Sequence, residues 1–322
     1  MLERFGIGGG ARLDGGFVAA TIDPDGVAVV AIQQRGMDRP KLHGLAISPP
    51  FEDGADAKRL QAELLEDVIH GMKLERTPVT TVVSPDDYQL LLVEAPDVPP
   101  EELRAAIRWR IKDLIDFHLD DAVIDVFELS GQAQRRGARM MYAVAAREAA
   151  VRERVEIFDQ TSLQLEVIDI PELCLRNIAA QVSDGPLGVA VLYLLRTHGH
   201  LVLCNSGQLS FARRLDIGID ALTGVMTDGI RKTVDDLVLE IQRSVDYAHS
   251  HFGGASISRL LITPSDPQVP GLMEAVSAGL DLEVEQLDLN DLIESDELLD
   301  YATQARVLLA VGAALRQEEA TL

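Results

Sequence analysis

The sequence predicts an α/β protein built from two similar lobes. Two stretches, 16–33 and 187–215, contain runs of apolar strand-forming residues broken by turn residues, and a helical pattern follows each of them. A length of 322 residues with 47% apolar residues is sufficient for two hydrophobic cores. The two halves have the same order of elements but show no sequence repeat. We therefore expect a duplicated α/β lobe with mixed sheets.

The first lobe is predicted to open with a hairpin. Apolar residues flank the turn Asp23-Pro24-Asp25-Gly26, in which proline and glycine favour a reversal of the chain. Downstream, the periodicity changes to that of a helix and then returns to that of a strand. The elements predicted in this lobe are strands at 17–22 and 27–32, a helix over 57–72 and a strand over 78–84.

The second lobe repeats this order. Its first strand is a continuous apolar run, which is typical of a strand buried on both faces. Turn residues near His198-Gly199-His200 and at Asn205-Ser206-Gly207 separate it from two further strands. The predicted elements are strands at 187–195, 201–204, 209–215 and 259–263, a helix over 233–249 and a closing helix over 301–316.

A separate module lies between the lobes. Pro99 and Pro100 mark the start of its helix, and Glu101 and Glu102 favour the positive end of that helix. We predict for it a strand at 88–95, a helix over 100–117, and strands at 122–129 and 139–146 joined by a polar loop at 130–137. A helix over 148–158, a strand at 165–170 and a helix over 171–181 are predicted after these elements. The predicted division is a first lobe at 1–87 and 165–186, an inserted subdomain at 88–164, a second lobe at 187–300 and a returning C-terminal helix at 301–322.

Composition argues against several classes of function. The net charge of −23 would repel phosphate backbones, so we expect no nucleic-acid partner. The runs 187–195 and 307–315 are about half the ~20 residues that a transmembrane helix needs, so we expect no direct membrane insertion. The first residues lack the apolar core of a secretion signal, and two cysteines in apolar segments suit the reducing cytoplasm.

Common catalytic and metal-binding motifs are missing. The glycine-rich segment 6–10 has no preceding strand to make it a phosphate loop. Two histidine pairs, His198 with His200 and His249 with His251, have no third ligand nearby in sequence. We expect these histidines to be solvated or to lie at a helix end, and we predict no catalytic residue and no metal site.

Four segments give the chain a resemblance to the PilM family of type IV pilus assembly, and most closely to its MSHA-pilus branch represented by MshI. They follow one another in the family's order and together reach across nearly the whole chain. The segments are Val93-Glu94-Ala95-Pro96-Asp97-Val98-Pro99-Pro100-Glu101-Glu102-Leu103, Gly207-Gln208-Leu209-Ser210-Phe211-Ala212-Arg213-Arg214-Leu215, Leu239-Glu240-Ile241-Gln242-Arg243-Ser244-Val245-Asp246-Tyr247 and Ala310-Val311-Gly312-Ala313-Ala314-Leu315-Arg316.

The resemblance implies an actin-like (ribonuclease H-like) two-lobed fold with an inserted α+β subdomain. It also implies a cytoplasmic scaffold, peripheral at the inner membrane, that holds the cytoplasmic tail of a PilN-like bitopic protein in a groove beside the inserted subdomain. Other pilus platform components are expected as partners, and a homodimer is left open. A third hypothesis is the cytoplasmic domain of a type II secretion platform, a family that usually continues into a membrane helix.

A basic cluster on the inserted helix is the candidate contact for that tail. Arg104, Arg108, Arg110 and Lys112 surround Trp109, the only tryptophan of an acidic protein, and exposed aromatic and basic residues are typical of docking surfaces. The alternative is that these residues only solvate the outer face of an amphipathic helix.

The nucleotide site that the resemblance implies is altered. Actin-like proteins hold ATP with two Asp-x-Gly-Ser/Thr hairpins and a glycine pair. Here Asp23, Asp25 and Gly26 are out of register, the run 191–196 offers neither acid nor glycine, and the run 261–266 replaces the glycine pair with proline and serine.

We therefore expect a vestigial nucleotide cleft, no ATP or Mg²⁺ cofactor and no enzymatic activity. Glu240 and Arg243 match family positions near the adenine, with ordinary helix-surface charges as the alternative interpretation. The competing hypothesis is an active ATP-dependent member of the actin-like superfamily that uses unusual residues in its cleft.

Overall fold

Three β-sheets organise the part of the chain that the structure describes. The structure is a computed structural model that describes residues 3–5, 16–34, 39–50, 57–129, 139–182, 187–223, 228–252 and 256–317. The predicted loop at 130–137 and the glycine-rich segment 6–10 lie outside these ranges.

The strands and helices follow one another in the order that an α/β protein requires. The strands are β1 (Glu3–Phe5), β2 (Gly16–Asp23), β3 (Gly26–Gln33), β4 (Lys41–Ile47), β5 (Pro78–Val82), β6 (Tyr88–Glu94), β7 (Ala122–Glu128), β8 (Met140–Arg147), β9 (Gln164–Asp169), β10 (Gly188–Leu194), β11 (Gly199–Asn205), β12 (Gln208–Leu215), β13 (Ile257–Ile262) and β14 (Glu283–Gln286). The helices are α1 (Ala57–Met72), α2 (Pro100–Ile111), α3 (Glu148–Phe158), α4 (Pro171–Val182), α5 (Ile219–Leu222), α6 (Asp228–Phe252), α7 (Leu272–Gly279), α8 (Leu289–Leu292) and α9 (Tyr301–Ala314).

The six-stranded sheet of the first lobe has the order β1, β4, β3, β2, β5, β9. Strands β2 and β3 are buried on both faces, which explains why they are apolar almost throughout. Alternate residues of these strands pack on two different cores: Val18 and Ala20 on the α1 side, and Ala19 and Val30 on the α9 side. The sheet is mixed, because β2 pairs antiparallel with β3 and parallel with β5.

The five-stranded sheet of the second lobe has the order β12, β11, β10, β13, β14. Its β10 is antiparallel to β11 and parallel to β13, so it has the same mixed pairing as the sheet of the first lobe. One face packs on α6 through Leu237 and Ile241, and the other face packs on α4. The two lobes therefore share an architecture, as the order of elements predicted.

Helices α4 and α9 join the two sheets in one core. Buried residues of both helices pack with residues of both sheets. The helices cross closely at Gly312, where a Cβ would lie 2.5 Å from the carbonyl oxygen of Cys174. Asn177 donates a hydrogen bond from Nδ2 to the carbonyl of Gly312 at 2.8 Å, which fixes the crossing. A side chain larger than hydrogen at Gly312 would force the helices apart.

The three-stranded antiparallel sheet has the order β6, β8, β7. Helix α2 covers one face with Ile107 and Ile111, which are buried against Val93 and Met141. The opposite face carries Tyr142, whose ring packs in the core shared by the lobes. This sheet therefore lies against the second lobe and brings β6 close to β12.

Most predicted elements are confirmed, with shifts of a few residues at their ends. The predicted helix over 100–117 is wrong after Ile111, because residues 112–118 turn back toward β6 and the Asp116 amide donates to Oε1 of Gln89 at 3.0 Å. Strands β4 and β14 and helix α7 were not predicted. Among the described helices, none is both long enough and apolar enough to cross a bilayer.

Candidate functional site

A cavity of about 310 Å³ lies between the hairpin turns of the two lobes. The turn between β2 and β3 contributes Asp23, Pro24 and Asp25, and the turn between β10 and β11 contributes residues 196–198. The remaining sides are formed by residues 82–86 from the end of β5 onward, residues 264–266 after β13, and residues 305, 306 and 309 of α9. This is the position at which an actin-like fold would be expected to hold a ligand, so we call it the interlobe cavity.

Asp23 is the most perturbed acid of the interlobe cavity. Loss of hydration between the cavity walls, followed by the charge of Asp25, raises the pKa of Asp23 to about 6. Arg306 and the backbone amide of Asp25 act in the opposite direction but do not cancel this effect. The Asp23 side chain is exposed at the end of β2, and an acid with this pKa is mostly ionised at pH 7.

Gly26 belongs to the turn and not to the cavity wall. Its φ of +126° lies outside the range that most L-residues adopt, and a Cβ there would lie 2.7 Å from the carbonyl oxygen of Pro49. The neighbouring amide of Val27 donates to the Ser48 hydroxyl oxygen at 2.8 Å. The glycine is thus explained by close packing of the hairpin on residues 48 and 49.

The basic groups of the interlobe cavity are engaged by the protein itself. Arg196 forms an ion pair with Asp220 at 2.9 Å, and Arg306 donates to the Ser48 carbonyl at 3.0 Å. The Ser265 hydroxyl donates to the Pro267 carbonyl at 3.1 Å. Tyr193 lines the cavity in the strand where the second acid would be expected. These contacts leave few groups directed at a bound triphosphate.

His198 and His200 are buried, so the expectation that they are solvated is wrong. They are 4% and 3% exposed, and their ring centroids are 5.3 Å apart. Burial, followed by the charge of Arg214, lowers the pKa of His198 to about 4. Within the described ranges, Nε2 of neither ring has a hydrogen-bond partner. His249 and His251 are exposed at the end of α6, as predicted.

Glu172, which sequence reasoning missed, organises a buried polar network with His200 and Tyr88. Its Oε1 lies 3.0 Å from Nδ1 of His200, and its Oε2 accepts a short hydrogen bond from the Tyr88 hydroxyl. Burial opposes the charge of Glu172, but hydrogen bonds from His200 and Tyr88 outweigh it and lower the pKa of Glu172. The only sequence signal was an acid near the start of a helix that is mostly apolar.

This network forms the floor of a second concavity, of about 420 Å³, between β6 and β12. We call it the groove. Its charged residues are matched in pairs: Arg147 with Asp116 at 3.0 Å, Arg214 with Asp86 at 3.1 Å, and Arg213 with Glu240 at 2.5 Å. The lining residues are 85, 86, 88–91, 116, 117, 147, 172, 200 and 212–214.

The residues predicted for a nucleotide cleft do not come together. Asp23 and Asp25 line the interlobe cavity, whereas Glu240 and Arg243 lie on α6 and are not among its lining residues. Glu240 binds Arg213 of β12 and also accepts from Nη1 of Arg243 at 2.9 Å. The structure therefore places Glu240 and Arg243 in an ion-pair cluster beside the second lobe's edge strand.

The predicted partner-binding residues lie on and just after α2, outside the groove. Arg104 pairs with Asp125 at 3.1 Å, and Arg108 donates to the Leu119 carbonyl at 2.7 Å. Trp109 is 70% exposed, and Lys112 is exposed at the helix end. The segment that follows Lys112 reaches the groove at Asp116 and Phe117, so this patch adjoins the groove. Among the described residues, no cluster of three or more potential ligands could hold a metal ion.

Comparisons with known proteins agree with this architecture. The family model of the type IV pilus assembly protein PilM matches residues 62–229, more than half of the chain. A solved PilM–PilN type IV pilus biogenesis complex matches with a TM-score of 0.73 at 19% identity, covering 93% of this chain and 97% of that one. At this identity the likeness shows the fold, which is the two-lobed actin-like fold.

Two further solved structures match more weakly. The cytoplasmic domain of EpsL, an inner-membrane component of the type II secretion system of Vibrio cholerae, has a TM-score of 0.49 at 11% identity, covering 94% of this chain and 96% of that one. The ethanolamine utilization protein EutJ from Carboxydothermus hydrogenoformans has a TM-score of 0.48 at 10% identity, covering 93% and 89%. No curated protein matches the chain.

Proposed function

Because this chain belongs to the PilM family of type IV pilus assembly proteins, we propose that it is a cytoplasmic scaffold of a pilus assembly platform. It works through protein contacts and does not hydrolyse ATP. It binds the cytoplasmic tail of a PilN-like inner-membrane protein and is peripheral at the membrane through that partner. The four segments that resemble the MSHA branch support an MSHA-type pilus as the system it serves.

The observation that carries this proposal is the match to the PilM–PilN complex along 93% of the chain. A fold preserved over that length includes the three-stranded sheet of β6, β7 and β8, which supports treating residues 88–164 as the inserted subdomain. The groove is the concave surface beside this sheet. We therefore assign the tail to the groove, with the α2 patch of Arg104, Arg108, Trp109 and Lys112 at its margin.

The chemistry of the interlobe cavity supports a scaffold without ATPase activity. The turn between β10 and β11 contributes no acid to the cavity, and Arg196 and Arg306 already have protein partners. Glu240 and Arg243 lie elsewhere, so a nucleotide in the cavity would lack the contacts that the family pattern implies. The cavity keeps the position of a nucleotide site without a grip for a triphosphate and its metal.

Calorimetry with Mg-ATP tests the absence of nucleotide function. We expect no saturable heat at nucleotide concentrations up to ~1 mM. A dissociation constant of ~1 mM corresponds to a binding free energy of only about 4 kcal/mol. Saturable binding at micromolar nucleotide, abolished in an Asp23→Ala variant, would favour the ATP-dependent alternative and contradict the proposal.

Binding of a fluorescent peptide with the sequence of the partner's cytoplasmic tail tests the scaffold role. We expect saturable binding with a dissociation constant of about 1–10 μM. Reversing the charges of Arg108 and Lys112 together should weaken binding modestly, because these residues are at the margin of the groove. An unchanged affinity would remove the α2 patch from the binding surface, and no binding to the unaltered protein would contradict the scaffold proposal.

A further inference from the structure

The geometry points to strand addition as the way in which the groove holds its ligand: the tail pairs through its backbone with the open edge of β6, as a fourth strand of the β6, β8, β7 sheet. This inference rests on the proposed function, because it specifies how the tail is bound. It commits to an extended, uncharged peptide segment as the occupant.

The register of β6 and β8 shows which backbone groups of β6 are unpaired. The Arg147 amide donates to the Asp87 carbonyl at 2.8 Å, and the Ala95 amide donates to the Arg139 carbonyl at 2.6 Å. In the antiparallel register, Asp87 lies opposite Arg147 and Ala95 lies opposite Arg139. Odd-numbered residues of β6 therefore bond to β8, and even-numbered residues direct their N–H and C=O groups to the other side.

An independent contact confirms this assignment. Nη1 of Arg110 donates to the carbonyl oxygen of Glu94 at 2.9 Å, so this even-numbered carbonyl does point away from β8. Tyr88 and Leu90 have the same orientation and line the groove. Within the described ranges, no hydrogen bond to the outward backbone groups of Tyr88, Leu90 or Leu92 is formed.

Strand β12 presents a second edge to the same groove. The Ala212 amide points away from β11, because it donates to the hydroxyl of Tyr142 at 2.8 Å. The backbone of Arg214, two residues later, points the same way by the alternation of an antiparallel pair. An extended segment in the groove would thus lie along the edge of β6 with the edge of β12 beside it.

The matched charges of the groove decide the chemistry of the occupant. Arg147, Arg213 and Arg214 each have an acidic partner, and Glu172 is bound by His200 and Tyr88. A charged ligand would have to compete with these pairs, whereas an uncharged peptide would not. The hydrogen-bonding capacity that remains is a row of backbone groups spaced as in a strand, which a peptide backbone satisfies at every second residue.

The sequence of β6 also favours a covered edge. Its residues Tyr88-Gln89-Leu90-Leu91-Leu92-Val93-Glu94 are apolar strand formers with a charge only at the end. An open edge of this kind is prone to pair with other strands, and proteins usually protect such an edge with charges, proline or a covering segment. A partner strand in the groove would provide that cover, with apolar side chains packed on Leu90 and Phe117.

A backbone N-methylation scan of the tail peptide tests the inference on the unaltered protein. Each peptide replaces one amide hydrogen with a methyl group, which removes one donor and blocks strand pairing. If the peptide adds to β6, affinity should fall about tenfold or more at alternate positions and change little at the positions between them. Effects without this alternation, in a peptide that binds when unmodified, would overturn strand addition and leave the scaffold function intact.

A matched pair of β6 variants tests the same contact from the protein side. Leu90→Pro removes the outward N–H of an edge strand without removing a bond to β8, whereas Leu90→Ala shortens the side chain and keeps the N–H. We expect Leu90→Pro to bind the tail about tenfold more weakly than Leu90→Ala. Equal affinities, with both variants folded by thermal melting, would contradict the inference. If Leu90→Pro does not fold, the methylation scan decides.

Discussion

The interlobe cavity and the groove are similar in size, about 310 and 420 Å³, but their polar groups differ in what they can still bind. In the cavity, the carboxylates of Asp23 and Asp25 repel each other, and this repulsion adds to the loss of hydration that raises the pKa of Asp23 to about 6. In the groove, the acidic and basic side chains are paired, and the unpaired groups belong to the backbone.

Under the proposed function, the fold keeps the position of a nucleotide site while the chemistry of that site changes. The hairpin turns still enclose a cavity, because the packing of the strands and of α9 holds the two turns on either side of it. Phosphate and metal binding depend on a few side chains that packing does not need. The groove, by contrast, is a product of packing itself, since the edges of β6 and β12 meet there.

The largest loss of stability is expected when the carboxylate on the floor of the groove is removed. Glu172→Ala leaves His200 and Tyr88 without their partner in a buried site, so we expect a loss of about 3–5 kcal/mol in the free energy of unfolding. Urea denaturation measures it. Glu172→Gln keeps one acceptor and should lose less. A loss below about 1 kcal/mol for Glu172→Ala would show that the network does not stabilise the groove.

The buried histidine beside the cavity should make the protein sensitive to acid. The pKa of His198 is lowered from 6.5 to about 4, so the unfolded chain binds a proton at a pH where the folded chain does not. Stability from this residue is therefore present above pH 6.5 and lost as the pH falls toward 4, by roughly 2–3 kcal/mol.

Replacing this residue isolates its contribution. The free energy of unfolding of a His198→Phe variant, measured by denaturation, should change less between pH 7 and pH 4 than that of the unaltered protein. Parallel curves for the two proteins would contradict the assignment of His198 as neutral and buried.

The raised pKa of Asp23 predicts a smaller effect on stability, of the opposite sign. The pKa of Asp23 is raised from 3.8 to about 6, so the folded state holds the proton more tightly and the ionised acid destabilises it above pH 6. Asp23→Asn should therefore raise the free energy of unfolding at pH 7–8 by up to about 1 kcal/mol after solvent screening, which is seen as a higher melting temperature. The gain should shrink below pH 6 and vanish near pH 4. A melting temperature lowered at pH 8 would argue that Asp23 has a binding or structural role.

The smallest effect is expected at the margin of the groove. Trp109 is 70% exposed, so Trp109→Ala should change the free energy of unfolding by less than about 0.5 kcal/mol. Its effect on affinity for the tail peptide should be at most about threefold. A tenfold loss would place the centre of the binding surface on α2 and not in the groove.

The comparison of predicted and observed elements separates local from distant information. The hairpin of β2 and β3 was predictable, because its apolar runs and its Asp-Pro-Asp-Gly turn are adjacent in sequence. The end of α2 was not, because residues 112–118 leave the helix to contact Gln89 of a strand formed earlier in the chain. Strand β4 was also missed, since its residues Lys41-Leu42-His43-Gly44 lack a clear strand pattern.

Residue types and local spacing were enough to predict the α/β class and the duplicated order of elements, and they are the basis of the proposal that the cavity lacks the acids, glycines and hydroxyls for a triphosphate. The tertiary structure alone decided that Glu240 and Arg243 lie apart from Asp23, that His198 and His200 are buried, and that the groove exists. Tyr88, Glu172 and His200 are far apart along the chain, and only long-range packing brings them into hydrogen-bonding distance.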